Sequence, residues 1–179
     1  EAKKEGKIVK NANEALQGAM DIIAEMVSDE PKHRQFLRQN FEETAKMKTE
    51  VKDASIDEKA VYEMYYAYEE PVKSVAGHRT LALNRGEAEK FLTVKIEAPQ
   101  ERILTYLEKK TIVKENPVTT SILQEVAMDS YQRLIAPAIE REIRNELTEK
   151  AEDGAISVFG KNLEQLLLQP PIAGKVVLG

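Results

Sequence analysis

From Ile139 to Leu168, apolar side chains return every third or fourth residue, at Ile139, Ile143, Leu147, Ala151, Ala155, Val158, Phe159, Leu163, Leu166 and Leu167. That period belongs to one face of an α-helix, so a single segment of roughly 30 residues, ~45 Å if unbroken, is committed to helix. Such a helix is a spine. Gly154 and Gly160 fall inside it, and each weakens a helix by around 1 kcal/mol relative to Ala. Glycine in a spine implies either a close crossing by another element or a break into two helices. Just upstream, Thr119 to Ile135 carries Ile122, Leu123, Val126, Tyr131, Leu134 and Ile135 at helical spacing, and Pro137 interrupts or kinks the run because it cannot donate four residues back.

Shorter elements precede the spine. Leu16, Ala19, Met20, Ile23 and Val27 form a helical stripe over Asn13 to Val27, capped by Asn11 or Asn13. A second helix starts with Ser28 as its N-cap, carries acids in its first turn and buries Phe36, Leu37 and Phe41. Met47, Thr49 and Val51 alternate with charged residues, the period of a half-buried strand. Leu92, Val94 and Ile96 do the same, so the two strands are natural partners in a small hairpin-like sheet. Between them, Asp57 to Tyr68 has helical spacing and is rich in Tyr, which buries a ring while keeping a wet hydroxyl. Pro99 opens a further helix with Ile103, Leu104 and Leu107 inward. The expected class is mainly α: a multi-helix bundle with a short two-stranded β element and a long C-terminal connecting helix.

Composition narrows the chemistry. The 179 residues are 42% hydrophobic, enough for one good core, and the net charge of -5 repels a phosphate backbone, so nucleic-acid contact requires a local patch. With no Cys and only two His, thiolate zinc sites and thiol nucleophiles are excluded. No nucleophile elbow or Gly-rich phosphate loop occurs. Neither an enzyme activity nor a cofactor, metal or small-molecule substrate is expected. No apolar run approaches the roughly 20 residues of a membrane helix, and a cytoplasmic chain without a membrane partner is the expectation. The polar run 1–10 and the apolar Val176, Val177 and Leu178 after Pro170-Pro171 read as the ends of an excised piece of a larger protein.

One stretch is basic. "GHRTLALNRGEAEKFLTVKI", Gly77 to Ile96, reads as helix, glycine turn at Gly86, then strand. From Lys73 to Lys95, five Lys or Arg stand against two acids. The candidate phosphate contacts are Lys73, His78, Arg79, Arg85, Lys90 and Lys95, on a helix-turn-helix-like unit around residues 57–97. The competing reading is structural: Arg85 pairs with Glu89, Arg79 with a carboxylate near Glu69-Glu70, and His78 caps a carbonyl. Glu140 with Arg144 and Glu146 with Lys150 then read as solvated ion pairs along the spine. His33, in an acidic first turn, carries little functional signal.

The same stretch resembles the "SHRxLAxxRGExEGxLxVxI" run of the bacterial Tex proteins, which are transcription accessory factors. "EALQGAMDIIAE", "YEEPVKSVAGHR" and the segment from Asp129 to Gly179 are similar to further runs of that family, in order and over most of the chain. Two positions depart: Gly77 stands where the family has Ser, and Lys90 where it has Gly. The resemblance implies a helical scaffold over residues 1–169 and, at residues 170–179, the start of an RNase H-like domain. It also implies RNA or DNA, and the transcription machinery, as partners of the parent protein, reached mainly through domains beyond this chain.

Overall fold

The computed structural model describes residues 11–52, 57, 59–170 and 174. Helix α1 (Ala12–Asp29) is capped by the Asn11 side chain, which accepts from the Glu14 amide at 2.9 Å. It runs past Ser28, which is buried within it and does not cap the next helix. Glu30 takes that role for α2 (Pro31–Thr44), because Pro31 needs no N–H partner at the first position and its ring disfavours helical geometry one residue earlier. On α1, Ala24 and Val27 are buried and Ile23 packs beside them, while Leu16 of the expected stripe is exposed. Leu37 and Phe41 of α2 enter the core, with Phe36 stacked on Tyr106 at its edge.

Among the described residues the sheet has three strands, not two. Strands β1 (Lys46–Val51), β2 (Glu69–Pro71) and β3 (Leu92–Glu97) are antiparallel in the order β2-β1-β3, with Met47 opposite both Glu70 and Ile96. Three residues ending in proline give no alternating pattern, so β2 escapes sequence reading. Met47, Thr49, Leu92, Val94 and Ile96 are buried, as alternation requires.

The described residues of 57–68 do not form the expected helix. The Asp57 carboxylate accepts the amides of Val61 at 2.9 Å and Tyr62 at 2.8 Å, together with the Tyr66 hydroxyl at 3.0 Å. Those amides would serve carbonyls four residues back in a helix, so the aspartate competes directly with the helical ladder. Ala60 takes a left-handed φ of 49°, and only a 3₁₀ turn, Glu63–Tyr65, follows. Tyr62 and Tyr65 still reach the core. Among the described residues of 57–97 there is one α-helix, α3 (Gly77–Ala88), so the expected helix-turn-helix-like unit is not built there.

Helix α3 continues through Gly86, and the chain reverses instead at Lys90, whose φ is 67°. A left-handed backbone costs an L-residue with a Cβ about 1 kcal/mol. Lys90→Gly, which restores the residue of the Tex pattern, is therefore expected to stabilise the chain by about 1 kcal/mol. A urea midpoint that rises with unchanged slope checks it.

Helices α4 (Gln100–Thr111), α5 (Thr119–Asp129) and α6 (Ala136–Leu167) complete the fold. Pro99 caps α4, and Ile103 and Leu107 are fully buried with Leu104 beside them. Between α5 and α6 the chain stays helical through one widened π segment, Ser130–Ile135, where the Ala136 amide donates to the Tyr131 carbonyl five residues back. That shift in register absorbs Pro137, so the proline neither breaks the path nor ends it. Ser130 locks the turn by donating to the Ala24 carbonyl at 2.7 Å. The expected strand at Val176 to Leu178 lies outside the described residues.

Candidate interaction interface

Helix α6 presents two different surfaces along its length, one buried and one exposed. Ile139, Ile143, Leu147, Ala151, Ala155, Phe159, Leu163 and Leu167 lie four residues apart throughout, which places them on one ridge that winds around the helix by about 40° per step. The first half of that ridge is packed: Ile139, Ile143 and Ala151 are buried and Leu147 joins the core. Beyond Ala151 every residue of α6 is exposed, including Ile156 at 69%, Phe159 at 68% and Leu167 at 76%. Glu152 to Leu167 extends roughly 24 Å at helical rise.

The packed half is held by a close crossing and by a clasp of charges. A Cβ placed on Gly77 of α3 would lie 3.2 Å from the Ala151 Cα, so the absence of a side chain lets the two helices touch. The glycines of α6 do not supply this crossing. Gly154 and Gly160 have nothing within 4 Å of a built Cβ, and α6 is unbroken across both. Arg144 reaches across to Glu87, to the Asn84 side chain at 3.4 Å and to the Val94 carbonyl at 3.4 Å. Glu140 accepts the Ile96 amide at 2.9 Å, and Glu87 accepts the Val94 amide at 3.3 Å. Polar groups of the outer β3 edge thus end on side chains of α3 and α6, which blocks another strand from pairing there. Glu146 pairs with Arg38 of α2, which also holds Glu142 at 3.2 Å. The expected pairs of Glu140 with Arg144 and Glu146 with Lys150 are accordingly replaced by contacts between elements.

Two carboxyls paired with arginines, Glu87 with Arg144 and Glu70 with Arg79, lie below the ordinary glutamate range. Burial pushes Glu87 upward, but the hydrogen bonds and charge of Arg144, with the Val94 amide, outweigh it. Glu70 is lowered by the Tyr68 hydroxyl first and then, against partial burial, by Arg79. A depressed carboxyl contributes stability that is complete above its unfolded value of about 4.3 and is lost as pH falls through the folded value. Between about pH 5 and 3, the wild-type chain is expected to lose more thermal stability than a Glu70→Gln/Glu87→Gln variant. Calorimetric melting midpoints of the two proteins across that range test this.

The six basic candidates do not converge. Arg79 is half-buried and committed, donating to Glu70 at 2.7 Å and to the Tyr68 hydroxyl at 3.1 Å, as its structural reading expected. Lys73, His78, Arg85, Lys90 and Lys95 are exposed. Arg85 and Lys95 line clefts apart from each other and from the adjoining pair that Lys73 and His78 line, which meet at Gly77 and Ala151. Among the described residues Arg85 makes no ion pair with Glu89, which instead accepts the Tyr62 hydroxyl at 2.8 Å. Nor does His78 cap a carbonyl; the histidine that meets one is His33, 3.0 Å from the Val27 carbonyl and edge-on to Tyr106. Sequence reading took its candidate contact residues from the basic stretch. The exposed ridge of α6 was visible in the period but not in its burial, which depends on where the neighbouring elements stop.

A family model described as Tex central region-like matches residues 2–159. The chain belongs to the Tex family. Protein YdcI of Bacillus subtilis is 53% identical over 176 residues, covering 98% of this chain and 24% of its own length. Transcriptional accessory protein Tex of Neisseria gonorrhoeae is 28% identical over 96% of the chain. The human S1 RNA-binding domain-containing protein 1 is 29% identical over 90%. The chain spans about a quarter or less of the length of these Tex relatives. Among its described residues no helix is long and apolar enough to cross a membrane.

Proposed function

We propose that this chain is a helical scaffold of a Tex-like transcription accessory protein in the cytoplasm, with no chemistry of its own. Its task is to carry other parts of the polypeptide on α6, which connects the bundle to an RNase H-like domain beginning near residue 170. The observation that supports this reading is the ridge of α6: packed as far as Ala151, then continued in apolar residues that no described residue covers. Exposed apolar surface of this extent marks a contact surface, and covering each large side chain is worth about 1.5–3 kcal/mol. RNA or DNA is engaged mainly through the remainder of the parent, and the transcription machinery through the whole. Amide hydrogen exchange tests the scaffold role. Residues 152–167 should exchange slowly in the full-length parent and quickly in the 179-residue chain, whereas equal rates in both would remove it.

A second reading has one observation in its favour: Lys73, Arg85, Lys90 and Lys95 enter no ion pair among the described residues. In this reading they contact phosphates, with His78 and Arg79 beside them. Anisotropy with labelled single-stranded RNA and duplex DNA across a salt series decides between the two. Phosphate contact gives affinity that falls steeply with salt and weakens in Arg85→Ala/Lys90→Ala.

A further inference from the structure

Ala151, Gly154, Ala155 and Val158 stand at positions i, i+3, i+4 and i+7 of α6, the four corners of a hole that receives one side chain from a facing helix. Three corners are Gly or Ala, and among the described residues a Cβ on Gly154 would meet nothing within 4 Å, so none of them fills the hole. Phe159 closes one end, and Leu81 of α3 stands at its side, within a groove of about 610 Å³. Lys150 lines the same groove, and Lys161 lies three helical turns further along that flank.

We propose that this groove receives a helix from the part of the polypeptide beyond these 179 residues. That helix inserts a large apolar side chain over Gly154 and presents carboxylates to Lys150 and Lys161. The inference rests on the scaffold reading and specifies its partner. Three observations carry it. The groove continues the packed α3–α6 interface without a gap, since Gly77 and Ala151 belong to both. The relatives are several times longer than the chain, so polypeptide is at hand to fill it. A second copy running antiparallel along α6 would set the Lys150 and Lys161 flank against itself, pairing like charges.

The chain has no Cys, which makes single thiols a direct probe. Gly154→Cys places a thiol at the hole, and Gly160→Cys places one on the opposite side of the helix; neither Cβ meets a neighbour, so both should fold. Alkylation rates are read at each site by peptide mass, in the full-length protein and in the 179-residue chain. The expected result is a thiol at 154 that reacts at least tenfold more slowly in the full-length protein than in the chain, with the thiol at 160 unchanged. Adding Lys150→Glu and Lys161→Glu should then restore reactivity at 154. Equal reactivity at 154 in both proteins overturns the groove and, if residues 152–167 also exchange quickly, the scaffold reading with it. Slowing at both 154 and 160 overturns the one-sided hole while leaving the scaffold reading intact. Slowing at 154 in the isolated chain that grows with concentration assigns the groove to a second copy and overturns the proposal. Protection that survives the two charge reversals overturns the acidic flank.

Discussion

Gly86→Val is expected to destabilise the chain by about 3 kcal/mol, in the range for adding volume to a filled core. Gly154→Ala, about five turns into α6, is expected to stabilise the 179-residue chain by about 1 kcal/mol. The difference lies in what a Cβ meets. At Gly86 it would sit 2.7 Å from the Leu92 Cδ1 and 3.0 Å from the Tyr62 Cδ1. Leu92 is fully buried and Tyr62 nearly so, and Tyr62 is further held by its hydrogen bond to Glu89, so neither can withdraw without opening a void. Gly86 is there because α3 crosses the sheet closely, and not because the backbone needs a left-handed turn. At Gly154 a methyl group meets open space, and only the lost backbone freedom of the unfolded chain counts. Urea midpoints of the two variants at one temperature give the comparison, and a loss below 1 kcal/mol for Gly86→Val would contradict the close crossing.

That pair of glycines also marks how far the sequence can be read. Periodicity located α1, α2, β1, β3, α4 and α6, because each buries a single face and its apolar residues repeat at the matching interval. It failed where one side chain outbids the local pattern. Tyr62, Tyr65 and Tyr66 have helical spacing, yet the Asp57 carboxylate takes the amides that a helix needs. It failed again at Gly86 and Lys90, because a glycine before a strand reads as a turn until the packing of Leu92 beneath it is known. The charges of α6 were legible as i,i+4 pairs. Their true partners, Glu87, Arg38 and the Ile96 amide, lie between 44 and 108 residues away in the chain. The apolar ridge was fully legible. What the sequence lacked was the point, at Ala151, where the bundle ends and exposure begins.

Arg144→Met should cost about 2 kcal/mol, because it removes the only cation paired with Glu87 among the described residues together with a donor to the Val94 carbonyl. Methionine keeps most of the stem, so the loss reads out polar contacts and not volume. The cost is held below that of a fully buried pair because Glu87 is 31% exposed and water reaches it once the guanidinium is gone. Glu87→Gln alone should be milder, and the double variant should fall short of the sum by about 1 kcal/mol, as expected for two residues in contact. A second consequence concerns the sheet. With Arg144→Met and Glu140→Ala combined, the Val94 carbonyl and the Ile96 amide lose their side-chain partners, and the outer edge of β3 becomes a template for another strand. Sedimentation at matched concentrations should show association of the double variant beyond that of the wild-type chain. If it sediments as the wild type does while remaining folded, the side chains of α6 stabilise the bundle without guarding its edge, and β3 is protected by its twist and its short length alone.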